Sequence, residues 1–367
     1  MSKDPIRVLH VVTIMNLGGI ENLLMSIYRN IDRTKIQFDF LVHREEKGIF
    51  DDEIISMGGK IHKMTPIILS KWIDYYRKLK YFFNTHDYQI VHSHLNANST
   101  IVLGIAKKAN IKYRIAHSHI DKSLGSKAYL KSILRKGINK VSTKRFACSQ
   151  QAGKWLYGQR SKFEILYNSI ETNRFIFDSN KRLEIRKKLS INSNEILLGN
   201  IARFTPQKNH TFIIDVFNSY QKINPSSKLL LIGEGELSSL IKEKIYRLGL
   251  ENKVFLPGAL KNVNDYLNAL DLFLFPSLFE GLGIVAIEAQ ANGLPILITD
   301  TLPKEIDVTN LVERMNLKEN SMEWAKKINF LINKDVIRMD YNKLIKTSNY
   351  DIHKNANFLM EYYLSLK

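Results

Sequence analysis

Short apolar runs recur along this chain, each closed by a glycine, a proline or a charge, and helical periodicity fills the intervals between them. Arg7 to Ile14 is the first run, and over Glu21 to Ile31 the residues Leu24, Ile27, Tyr28 and Ile31 return at helical spacing. Phe38 to Val42, Ile61 to Met64, Ile90 to His94, Ile115 to His119 and Phe146 to Ser149 continue the strand series, with a helix over Gln150 to Tyr157. A second series runs through Ile196 to Ile201, Leu229 to Gly233, Val254 to Gly258, Leu272 to Phe275 and Ile296 to Thr299. Residues 311–345 read as helical, and so does Tyr350 to Lys367. Unbroken apolar runs alternating with helices predict parallel strands, an α/β class. At 367 residues the chain is long for one core and suits two domains.

The stretch FPSLFEGLGIVAIEAQANGLPILITD, from Phe275 to Asp300, carries the densest chemistry. A strand ends at Phe275, a loop holds Gly281 and Gly283, a helix runs from about Ile284 to Ala291, and Asn292-Gly293 stops it. The amides of Gly283, Ile284 and Val285 open that helix, where its dipole favours an anion. Glu280 lies in the loop and Glu288 on the second turn, with seven residues between them. A phosphate at the helix start leaves Glu288 free to accept from ribose hydroxyls, and Glu280 within reach of whatever the phosphate carries. Two solvated acids beside a structural turn would be the ordinary reading of the spacing alone; the glycines, the preceding strand and the small-residue helix narrow it.

Three other places hold polar groups at strand ends, where parallel sheets bind ligands. Asn16-Leu17-Gly18-Gly19 joins a strand to a helix, and such glycines let backbone amides approach a phosphate. Arg203 and Lys208 stand five apart after the Ile196 strand and can grip both phosphates of a nucleotide diphosphate. Two His-x-His pairs, His92/His94 and His117/His119, each share a face by strand alternation. A zinc site there needs further ligands that converge in space, which spacing alone does not place. The expectation is no metal.

Charge divides the chain. Of 54 basic and 36 acidic residues, 28 and 13 fall in residues 1–170, a net +15, while the rest nets only +3. From Lys122 to Phe163 there are eleven Lys or Arg and no acid. Its centre sets Leu130, Ile133, Leu134 and Ile138 among Lys127, Lys131, Arg135, Lys136 and Lys140. Ile67 to Phe83 mixes basic residues with Trp72, Tyr76 and Phe83. Both segments suit an anionic membrane surface, or equally a solvated face and a helix packed on its sheet. A nucleic-acid-binding protein would explain the charge but not the paired glutamates. The single cysteine, Cys148, excludes a disulfide framework and a Cys-based zinc site. The start MSKDPIRVLH lacks an apolar leader and no 18-residue apolar run exists, so a cytoplasmic protein on the inner face of the plasma membrane is expected.

FEGLGIVAIEA resembles the E-x7-E motif of retaining GT-B glycosyltransferases of family 4, and the other motifs follow in that family's order over essentially the whole chain. The resemblance implies two Rossmann-like domains with parallel sheets facing across a cleft: 1–170, with the helix 350–367 crossing back onto it, for the acceptor, and 171–349 for the nucleotide sugar. Leu166 to Ile170 resembles the family's Asn-Gly-Ile-Asp turn at the domain junction, with Ser169 in place of glycine. It further implies a UDP-sugar donor held by Gly18, Gly19, Arg203, Lys208, Gly283, Ile284, Val285 and Glu288. Catalytic roles fall to Glu280 and His119, and Glu21, His94 and His117 lie toward the acceptor. Ser118 replaces the aromatic residue the family often has before its site histidine, so His117 and His119 both stay open for that role. Metal independence is implied, and no D-x-D metal motif occurs. Details such as AHSH resemble bacterial capsule and exopolysaccharide enzymes, which implies a glycan acceptor linked to a polyprenyl diphosphate and no nucleic acid. Membrane contact would fall to Trp72, Lys131, Arg135, Lys136 and Lys140. An epimerase or phosphorylase of the same fold is the alternative.

Overall fold

The computed structural model describes residues 4–119, 128–260, 262–334, 337–338 and 341–366. The chain forms two compact units: Met1–Ser169 with Ile352–Lys367, and Ile170–Asp351.

The first unit is a parallel sheet of β1 (Ile6–Val12), β2 (Ile36–Val42), β3 (Ile61–Lys63), β4 (Ile90–Ser93), β5 (Tyr113–Ser118), β6 (Lys144–Ala147) and β7 (Glu164–Ile165), ordered β3-β2-β1-β4-β5-β6-β7. Strand alternation splits β1 between two cores. Val8 and Val12 face one with Phe38 and Phe40, and Leu9 and Val11 face the other with Leu41 and Val91. Helices cover both faces, which is why the strands read as continuous apolar runs. The last helix, Ile352–Leu364, belongs here: Ile352, Ala356, Leu359 and Tyr363 recur at helical spacing, join the first core and lie against the helix Gly19–Asn30.

The second unit holds β8 (Leu197–Ile201), β9 (Lys228–Ile232), β10 (Val254–Phe255), β11 (Leu272–Phe275), β12 (Ile296–Thr299) and β13 (Val312–Met315), ordered β10-β9-β8-β11-β12-β13 and parallel throughout. Residues 311–345 are not one helical stretch: Val312–Met315 pairs with β12 from Ile296↔Val312 to Thr299↔Met315, and helices follow at Ser321–Ile332 and Tyr341–Thr347. The half-buried VERM segment is an edge strand whose polar residues hide the apolar signature of its neighbours.

In both sheets the strand order reverses beside the first strand of the unit, between β1 and β4 and between β8 and β11. The region at the carboxyl ends of the strands beside such a reversal is where open α/β sheets take ligands.

Candidate active site

In the second unit the loops after β8 and β11 meet in this region. Asn200 Nδ2 donates to Leu274 O (2.7 Å), Gln207 Nε2 to Phe279 O (2.9 Å) and Leu278 N to Gln207 O (2.9 Å), so the loops are bonded to each other. A 3-10 turn, Pro206–Lys208, ends at Asn209 in the left-handed region, φ 56°. That turn carries Lys208 onto Glu280, Nζ to Oε1 at 2.5 Å, with the ammonium 5.6 Å from the centre of the Phe275 ring. Glu280 is buried. Arg203 is exposed, and among the described residues no hydrogen bond or ion pair holds its guanidinium. The turn after β9, which opens toward the helix Ser238–Arg247, supports it from behind: Phe204 N donates to Glu234 O (2.9 Å), and Gly235 lies so close to the Phe204 backbone that a Cβ there would overlap it.

Gly283 begins the helix Ile284–Ala291 at φ 78°, and a Cβ on it would stand 2.7 Å from the Phe275 ring. No side chain caps this helix and no acid lies in its first turn, so its leading amides face outward without a built-in anion. Glu288 stands on the second turn, partly accessible, with no hydrogen bond to its carboxylate among the described residues. Burial among protein atoms pushes it up to about 7, against the opposing charge of Arg174. The structure thus joins Lys208 to Glu280 directly and leaves Arg203 and Glu288 unpaired in the same unit.

In the first unit, Gly18 caps the helix Gly19–Asn30 in an extended conformation, and the Glu21 carboxylate folds back over it. At the ends of β1, β4 and β5 the two His-x-His pairs converge and a fifth ring, His10, joins them. His10 Nδ1 lies 3.0 Å from His94 Nε2, His94 Nδ1 lies 3.0 Å from His119 Nε2, and His92 Nδ1 lies 2.6 Å from the Tyr363 hydroxyl. All five are buried, and burial pushes His10 and His119 down to about 3 and His92, His94 and His117 well below the ordinary range. Neither His10 nor Tyr363 stood out in the sequence. Strand alternation puts His10 on the face opposite Leu9 and Val11, but the neighbours on that face come from strands distant in sequence.

The basic and aromatic segments are only partly turned outward. Trp72, Ile73 and Tyr81 on the helix Trp72–Thr85 are exposed, whereas Phe83 is buried in the core and Tyr76 packs beside it, correcting their expected place at a membrane interface. On the helix Ala128–Arg135, Tyr129, Leu130 and Ile133 are exposed but Leu134 faces the core, and Ile138, which begins the next helix Ile138–Val141, is buried. Lys136 and Lys140 are exposed and Lys131 is half-buried. Arg135 instead donates to Trp155 O and lies 5.8 Å from the centre of that ring, which withdraws it from the free surface. Lys122 and Lys127 lie outside the described residues.

Residues 181–349 match the family model of glycosyl transferases group 1. EpsF of Bacillus subtilis (strain 168) is 31% identical over 338 residues, covering 89% of this chain and 88% of its own. The chain belongs to the group 1 glycosyltransferases. It is thereby a family 4 enzyme of the retaining GT-B class, as its E-x7-E segment implies. Two further group 1 likenesses are the capsular polysaccharide biosynthesis glycosyltransferase CapH of Staphylococcus aureus, 26% identical over 385 residues (98% of this chain, 99% of its own), and the UDP-Gal:alpha-D-GlcNAc-diphosphoundecaprenol alpha-1,3-galactosyltransferase of Escherichia coli, 23% identical over 314 residues (80% and 79%). The crystal structure of Anabaena Alr3699/HepE in complex with UDP and glucose shares the GT-B fold with a TM-score of 0.82 at 18% identity, covering 98% of this chain and 100% of that one. Among the described residues no helix is long and apolar enough to cross a membrane.

Proposed function

We propose that this group 1 enzyme moves a sugar from a UDP-linked donor to a glycan carried on a polyprenyl diphosphate, in the synthesis of a bacterial surface polysaccharide. The observation that carries this reading is the Lys208–Glu280 pair beside the uncapped helix start at Gly283. The donor diphosphate is met by Arg203, Lys208 and the amides of Gly283, Ile284 and Val285. Glu288 accepts from the ribose, and Glu280 holds hydroxyls of the transferred sugar. His119 stands at the reacting centre, and Glu21, His94 and His117 serve the acceptor. As the glycosidic bond breaks, negative charge grows on the departing UDP; fixed cations and helix-end amides stabilise it without reorganising. The reading asks for no metal in this step, so turnover persists in excess EDTA.

The acceptor part draws support from what the Escherichia coli relative's name states it acts on, and from the exposed Trp72, Ile73, Lys136 and Lys140. A cytoplasmic enzyme resting on the inner leaflet reaches such an acceptor without crossing the bilayer. The test is direct: incubate the protein with each UDP-sugar and a glycan–undecaprenyl diphosphate, then follow UDP release, product mass and the anomeric configuration by NMR. Release of free sugar without a product, or turnover with non-uridine donors only, would overturn the reading. Sedimentation with anionic vesicles but not neutral ones, weakened by about 0.5 M salt, tests the membrane part.

A further inference from the structure

The histidine cluster in the first unit is more than a site histidine and its neighbours. Among the described residues, five ring nitrogens are buried without a partner at full hydrogen-bond geometry: His10 Nε2, His92 Nε2, His119 Nδ1 and both nitrogens of His117, with only the Leu166 backbone beside His117 and the Asn168 side chain beside His119. Each such group destabilises the fold if nothing fills its lone pair or takes its proton. His117 alone carries two, and buried groups of this kind are usually met by a water or an ion.

The rings stand at ligand spacing. His94, His117 and His119 each offer a nitrogen, all within 4.8 Å of one another, and His10, His92 and His94 form a second such trio deeper in. Ring centroids are 4.0 Å apart for His117 and His119, and 5.4 Å for His94 and His117. The donors are imidazoles alone, without a carboxylate. That set disfavours magnesium, calcium and manganese, which take oxygen, and favours zinc and its late first-row neighbours. His94 and His119 are also the more accessible of the five, at 3% and 6%, against 0–1% for the others.

We propose that His94, His117 and His119 form a binding site for a late first-row divalent cation, with zinc as the type. His10 supports it from behind. Its Nδ1 faces His94 Nε2 at 3.0 Å, so a proton on His94 Nε2 leaves His94 Nδ1 free to ligate, as outer-shell partners of metal-bound histidines do. Occupancy takes His119 out of the transfer reaction, a consequence that rests on the proposed function. The cation is then a brake, and chelation releases it.

The test uses the full-length protein, stripped with a chelator and dialysed. Cobalt(II) should give the visible absorption band of a tetrahedral site, saturating at one ion per chain and displaced by zinc(II). Zinc(II) should raise the melting temperature, and magnesium(II) at the same concentration should not. His94→Ala and His117→Ala should weaken binding by about 100-fold or more and abolish the rise, and His10→Ala by about 10-fold. The exposed His353→Ala should bind as wild type. Where alanine impairs folding, His117→Gln keeps a buried polar side chain of similar size and should still lose the band. UDP binding by calorimetry, which reports the second unit, checks each variant. Absence of the band and of the melting shift would show that water or nothing fills the cluster, and would overturn the site; so would a band that survives in both His94 and His117 variants. Zinc should also lower turnover reversibly. A zinc-loaded enzyme at full speed would instead remove His119 from the reaction while leaving the cation site standing.

Discussion

Two strand-to-helix turns look alike in the sequence, glycines before a helix, yet the structure makes them opposites. At Gly18-Gly19 the cap is extended, φ −149°, and the helix brings its own acid, Glu21, back over the turn. At Gly283 the cap is left-handed, φ 78°, the first turn has no acid, and Glu280 in the preceding loop is already paired with Lys208 from the turn after β8. A helix start that already carries a carboxylate is partly neutralised, while one left bare attracts an external anion. On the proposed reading the second turn is therefore the stronger phosphate seat, and the glycine content of the first says less than its neighbour at position 21.

The comparison breaks most visibly at Lys208. Lys208→Ala should weaken UDP binding by about 1.5–3 kcal/mol in calorimetry. It should also lower stability to urea by about 3–5 kcal/mol, since Glu280 keeps a buried charge without its partner. Adding Glu280→Gln should restore most of the stability and none of the affinity; a double variant as fragile as the single one would mean the pair is not what holds the loops. Arg203→Ala should lose a similar 1.5–3 kcal/mol of UDP affinity with stability within about 0.5 kcal/mol of wild type, because the side chain is exposed and unpaired.

Smaller effects sharpen the contrast between the turns. Gly283→Ala places a methyl against Phe275 in a left-handed conformation and should cost about 1–3 kcal/mol, whereas Gly19→Ala meets nothing within 4 Å and should stay within about 0.5 kcal/mol. Glu288 adds a pH signature. Its folded value is raised from 4.5 to about 7, so the folded state holds an extra proton between those values. Its contribution to stability is present below about pH 4.5 and falls as pH rises through 7, by up to about 3 kcal/mol and by less where water reaches the carboxyl. Glu288→Gln should flatten that slope in melting curves from pH 5 to 8 and weaken UDP binding above pH 7; an unchanged slope would place the proton elsewhere. Smallest of all, Glu21→Gln should cost about 0.3–1 kcal/mol of stability by removing an acid from a helix start, and leave UDP affinity alone.

Local chemistry was the legible part. Gly283 and the Asn292-Gly293 stop bounded the helix Ile284–Ala291 where the structure has it, and Ser149 caps the Gln150–Tyr157 helix by accepting from Ala152 N. Arg203, Lys208 and Glu280 are singled out as candidates because each follows closely on an apolar strand, and Glu288 because it stands on the helix that the glycine loop opens. What the sequence hid depends on distant partners or on edges. Val312–Met315 reads as helix since an edge strand needs no apolar alternation. Phe83 looked like an interfacial aromatic because helical spacing does not say which stripe faces the sheet. The joining of His10 to two remote His-x-His pairs follows from the order β1-β4-β5, and no spacing along the chain encodes that order.

The helix Ile352–Leu364 gives the molecule an order of assembly. Translation delivers the strands of the first unit early, but the side chains that finish its core, Ile352, Ala356, Leu359 and Tyr363, emerge only after the whole second unit. Until then the His10, Phe38 and His92 surface lacks the ring that closes over it and the hydroxyl that bonds His92. The second unit has no such wait, since Ile170–Asp351 is one continuous segment whose ends pair with each other, Ile170 against Asp351. Domains usually mature in the order in which the ribosome releases them. Here the half made first is completed last, and in the interval its apolar face is exposed to chaperones.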